Sequence, residues 1–171
     1  MTKNIIWSSV FIIIAGILQS TLLRRLSTHL YALPDITLCI LVYCAYINGT
    51  MTGQLTGFFS GMLLDFLSFA PIGLNMFIRT LVGALYGLLS GKFFLDVILV
   101  PVILCSSATL LKAALLFVLH FLFAEVIPVY SITSPVLWME LLFNAVLAPF
   151  LFALLKLFDA LLKRTQDASE H

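Results

Sequence analysis

The sequence predicts an all-α integral membrane protein, a compact bundle of about six transmembrane helices. Three observations carry that reading. Of 171 residues, 62% are hydrophobic and only 10% charged, with a mean hydropathy of +1.15; a water-soluble chain could not hide so much apolar surface, whereas a bilayer solvates it. The apolar residues fall into six runs of about helix-spanning length, parted by short polar or Pro/Gly links. Glycines also recur every four residues within two of these runs, the spacing that lets helix backbones approach closely in lipid. One polytopic domain over residues 1–162 is expected, with a polar cytoplasmic tail over 163–171. The net charge of +1 excludes a broad nucleic-acid footprint. Cys39, Cys44 and Cys105 lie in apolar runs at no zinc or redox spacing, which reads as buried packing.

The first run, residues 5–23, is long enough to cross a bilayer. No small-x-small cleavage site precedes Arg24-Arg25, so it reads as a retained helix with Trp7 near an interface rather than a signal peptide. Gln19, Ser20 and Thr21 form a polar cluster at its far end, suited to capping and interhelical hydrogen bonds. Pro34-Asp35 opens a second helix over 33–47, since proline is tolerated in a first turn and an acid there suits the helix dipole. That run is short for a span, and Asn48-Gly49-Thr50 is either a turn or a continuation.

The third helix, 51–69, carries the row Gly49, Gly53, Gly57 and Gly61, with Asp65 on the next step of the same ridge. Pro71 and Gly73 turn the chain into a fourth helix, 72–90, with a second row at Gly83, Gly87 and Gly91. Both rows are expected to pack helices within the chain more than against a partner. A fifth helix, 97–124, has Lys112 near its middle, and a sixth, 136–162, has Glu140 and Asn144 one turn apart and Pro149 as a kink. Basic residues near the span ends (Lys3, Lys92, Lys163 and Arg164) favour both termini in the cytoplasm, against Arg24 and Arg25.

Charges inside such helices need partners. Asp65 lies six residues before Pro71 and Arg79 eight after it, which gives them similar depth in an antiparallel hairpin. They are expected to pair or to share a polar pocket with Asn75; otherwise Asp65 reaches the headgroups and Arg79 snorkels separately. Glu140 and Asn144 are the natural partners for Lys112. His120, Glu125 and Glu140 are too scattered for a metal, and no phosphate loop, nucleophile elbow, zinc helix or catalytic carboxylate pair is present. The expectation is therefore no enzyme, with no catalytic residue, cofactor or metal.

Taken in order, Leu18-Gln19-Ser20-Thr21, Pro34-Asp35, the stretch Gly57-Phe58-Phe59-Ser60-Gly61-Met62-Leu63-Leu64-Asp65, then Pro71-Ile72-Gly73-Leu74-Asn75 and Gly83 form a pattern over about the first half of the chain. This pattern resembles the rod shape-determining protein MreD family of bacterial inner membranes. Arg79, Lys112 and Glu140 are not part of it, and no family role carries onto them. The resemblance implies a small non-catalytic protein that binds the single-span protein MreC. It also implies work alongside the MreB filament, a SEDS-type polymerase and a class B penicillin-binding protein in peptidoglycan synthesis. The implied fold is similar to the substrate-binding subunits of energy-coupling factor transporters. Two functions follow: a membrane scaffold, which the motifs favour, or a vitamin-type transporter subunit with Asp65, Asn75, Arg79 and Glu140 lining a solute pocket. Membrane lipid is a partner in either, and nucleic acid in neither.

Overall fold

A computed structural model describes residues 2–23, 33–68, 70–91, 98–125, 127 and 134–158. Arg24, Arg25, Lys92, Lys163 and Arg164, on which the orientation argument leans, lie outside the described residues, as does the side chain of Lys3.

The described residues form six α-helices: α1 (Thr2–Leu18), extended by a π-helical turn over Gln19–Leu23, then α2 (Ile36–Asn48), α3 (Thr50–Leu67), α4 (Leu74–Leu88), α5 (Leu99–Leu122) and α6 (Pro135–Lys156). Their ends follow from local chemistry. Ser20 and Thr21 turn their hydroxyls back onto the Ile17 carbonyl at 2.9 and 2.8 Å, where the helix widens. Asp35 caps α2 by accepting from the Leu38 N–H at 3.0 Å. Gly49 stops α2 because it holds φ at +87°, a left-handed value few other residues tolerate. Asn48-Gly49-Thr50 is therefore a break, and Ala45 and Gly53 come together on either side of it. Ser134 caps α6, with Pro135 in the first-turn position where its missing N–H is no loss.

The shortest helix is the centre. Ten of the thirteen residues of α2 are buried, Thr37 through Tyr46. Around it pack Ile12 of α1, Ile78, Val82 and Tyr86 of α4, Leu104, Cys105 and Ala108 of α5, and Ala148, Phe152 and Leu155 of α6. Tyr43 meets Phe152 edge-on with ring centroids 4.9 Å apart. The outside is apolar as well: Phe66, Ile72, Phe121, Phe150 and Leu157 are each at least 70% exposed, a surface suited to lipid rather than water. With 24 and 22 residues, α5 and α6 are long and apolar enough to cross a bilayer. At 13 residues α2 extends only about 20 Å, well short of a ~30 Å hydrocarbon core.

Candidate functional site

Two antiparallel helices in extreme proximity set the geometry. A Cβ added at Gly53 would overlap the Gly83 carbonyl, one at Gly57 the Arg79 carbonyl, and one at Gly61 the Met76 backbone. Gly87 lies equally close to Thr50. The register falls as Gly53, Gly57 and Gly61 rise, so α3 and α4 run antiparallel with backbones touching. Gly49 stands just ahead of the first residue of α3: a Cβ added to it would meet nothing, but its own carbonyl carbon lies against Gly87, so it joins the contact through its backbone alone. Gly91 faces open space.

This clamp fixes where α4 presents Arg79, and Arg79 reaches into a buried charge cluster centred on Asp35. Oδ1 of Asp35 accepts from Arg79 Nη2 at 2.7 Å, from the Thr37 hydroxyl at 2.9 Å and from the Leu38 N–H. Oδ2 accepts from Lys112 Nζ of α5 at 2.9 Å, and the same Nζ donates to Glu140 Oε1 of α6 at 2.6 Å. The Asp35 N–H donates to Asn144 Oδ1 at 2.8 Å; Asn144 Nδ2 donates to Thr109, whose hydroxyl donates to the Cys105 carbonyl. Gln19 joins α1 to the cluster by accepting from the Thr37 N–H at 3.1 Å. Asp35, Arg79 and Glu140 are all at most 6% exposed.

The cluster holds two cations and two carboxylates, so it is formally neutral. That balance is what makes it tolerable, because an unpaired ion in a low-dielectric interior loses several kcal/mol of solvation. Asn144 is the tenth residue of α6, so α2 begins level with the middle of that helix rather than at its end. Pro34, half-buried just ahead of the cap, leads the chain into this interior start. Arg79 Nη1 is buried and has no hydrogen-bond partner among the described residues. Among those residues no three His, Cys, Asp or Glu side chains are placed to hold a metal.

The expected Lys112–Glu140 pair is present, but Arg79 does not pair with Asp65. Asp65 instead caps α4 from across the turn. Its Oδ2 accepts from the N–H groups of Gly73 (2.8 Å) and Met76 (3.2 Å), and its Oδ1 from the N–H (3.0 Å) and side-chain amide (2.9 Å) of Asn75. The two charges are not level: Gly57 lies on Arg79 and Gly61 on Met76, so Asp65 faces the turn, roughly two helical turns from Arg79, and a carboxylate suits the free N–H groups of that positive helix end. Gly73, in left-handed conformation at φ +97°, and Pro71, whose carbonyl accepts from the Leu74 N–H, shape the turn. Sequence reasoning missed Asp35 as the hub and Thr37 and Thr109 as its supports. The signal was the shortness of the second run, which required its opening acid to lie inside the bundle.

No curated protein and no solved structure matches the chain, so the expected likeness to energy-coupling factor subunits rests on the family resemblance alone. The family described as rod shape-determining protein MreD matches residues 1–158, which takes in every helix and every member of the charge cluster. The chain belongs to the MreD family of rod shape-determining proteins.

Proposed function

We propose that this chain is a non-catalytic scaffold of the bacterial cell-elongation machinery. It is a multi-pass inner-membrane protein with both termini in the cytoplasm. Its transmembrane and short-loop surfaces bind MreC, and it works beside MreB, a SEDS-type polymerase and a class B penicillin-binding protein in peptidoglycan synthesis.

The observation that supports this reading is that each interior charge is engaged by protein, with Arg79 Nη1 the one buried donor of these groups left without a partner among the described residues. Asp35, Arg79, Lys112 and Glu140 tie α2, α4, α5 and α6 together, while Asp65 and Asn75 are engaged by the α4 turn. A solute-binding subunit keeps such groups for its ligand; here protein occupies them, which favours a rigid body that acts through its outer surface.

A pull-down of the tagged chain from its native membrane in mild detergent, read by mass spectrometry, tests the proposal. Recovery of MreC with the peptidoglycan elongation enzymes is expected. Recovery of an ATPase pair and a coupling membrane subunit without MreC would overturn it in favour of the transporter reading.

A further inference from the structure

Gln54 is a polar side chain that neither the packing nor the charge cluster uses. It is the fifth residue of α3 and is exposed, with exposed Met51 and Phe58 one turn before and after it on the same face. It makes no hydrogen bond to any other residue of the chain that the structure describes. Eighteen residues give α3 a length of about 27 Å, which fits inside a ~30 Å hydrocarbon core. Gln54 then lies roughly 7 Å from the midpoint of the helix, which leaves about 8 Å to the nearer interface, beyond the reach of its side chain.

A primary amide offers two donors and two acceptor sites, and lipid answers none of them. The glycine face of α3 is already taken by α4, and among the described residues Gln54 has no partner, so an interface with a second molecule is where its amide would be answered. We propose that α3 is an interface between two copies of this chain, with the two Gln54 amides paired across a two-fold axis. The amide is self-complementary: Oε1 of each copy accepts from Nε2 of the other, and symmetry places both at the same depth. A partner of different sequence would need its own polar group at that depth, whereas a second copy has one by construction. Met51 and Phe58 supply the apolar contact around the pair, Met51 with an adaptable side chain. The inference rests on the membrane-spanning reading above.

Full-length protein labelled with donor and acceptor dyes, in vesicles of phosphatidylcholine and phosphatidylglycerol, reports the association by energy transfer. Wild type should associate and Gln54→Asn should retain association, while Gln54→Leu should weaken it about tenfold. Because Gln54 is exposed, leucine there leaves the fold intact. Cysteine scanning adds a second readout, since Cys39, Cys44 and Cys105 are all buried. Met51→Cys and Phe58→Cys should cross-link two copies; Phe77→Cys on α4 and Leu142→Cys on α6 should not. No energy transfer in wild type, equal transfer in Gln54→Leu, or cross-links from Phe77 or Leu142 alone would each overturn the dimer. So would cross-links from Met51→Cys that, in native membranes, reach only a different protein. Carbonate extraction of the same vesicles reports separately whether the chain is integral, so a failed membrane reading is distinguishable from a failed interface.

Discussion

Replacing Asp35 with alanine removes the acceptor of four hydrogen bonds, from Arg79, Lys112, Thr37 and Leu38. Arg79 is left as a buried cation without its anion, and of its two carboxylate partners Lys112 keeps Glu140. Breaking a buried ion pair by deleting one partner costs about 3–5 kcal/mol. Loss of a helix N-cap adds about 1 kcal/mol, which brings the total to about 4–6 kcal/mol. Whole domains are stable by only about 5–15 kcal/mol, so the substitution removes a large share. At about 2–4 °C per kcal/mol for a chain of this size, the midpoint of thermal unfolding in mild detergent should fall by about 10–20 °C. The paired variant Asp35→Asn with Arg79→Gln leaves Lys112 and Glu140 as one neutral pair. It should be more stable than Asp35→Asn alone, with a coupling energy of at least about 1 kcal/mol. A midpoint for Asp35→Ala within about 3 °C of wild type, or a double variant no better than the single, would refute the account of Asp35 as the neutralising hub.

The two helix-packing contacts make further distinctions. Gly57→Ala places a Cβ on the Arg79 carbonyl and forces α3 away from α4, which should cost about 3 kcal/mol. Gly91→Ala meets open space and carries only the strain of φ +73°, about 1 kcal/mol; equal unfolding midpoints for the two would contradict the close-packed hairpin. Asp65→Ala should lose about 2 kcal/mol as a cap, and its effect should add to that of Arg79→Ala within about 0.5 kcal/mol. A strong coupling between those two variants in the same melts would restore the direct pair that the geometry rejects.

How much could be read in advance depended on what kind of information each feature carries. The Lys112–Glu140 pair was legible because Glu140 and Asn144 share one helical face and a mid-helix lysine needs an anion. The α3–α4 contact was legible too, since glycines at a four-residue spacing lie along one ridge whatever the rest of the fold does. Equal counts from Pro71, however, do not give equal depth, because the hairpin does not fold about Pro71. Gly57 lies against Arg79 and Gly61 against Met76, so the symmetry point falls before Pro71 and Asp65 meets the backbone of the α4 turn instead of the guanidinium. Gly49 keeps the register of its row but precedes the first residue of α3, so it meets Gly87 through its backbone while the place of its own Cβ is open, a distinction that periodicity does not carry. Asp35 reads from the sequence as a polar residue that suits the helix dipole, but not as an ion-pair hub, because nothing in a one-dimensional pattern says that a helix starts halfway through its neighbours.

That interior start also imposes an order on biogenesis. Asp35 is made 44 residues before Arg79 and 77 before Lys112. At about 5–20 residues per second of synthesis, the lysine follows the acid by about 4–15 s. Arg79 comes first, about 2–9 s after the acid, so the counter-charge that lets α2 take an interior place is carried by the hairpin that directly follows it. Lys112 and Glu140 arrive later, as a pair of opposite charges, and close the cluster around a helix that Arg79 has already neutralised.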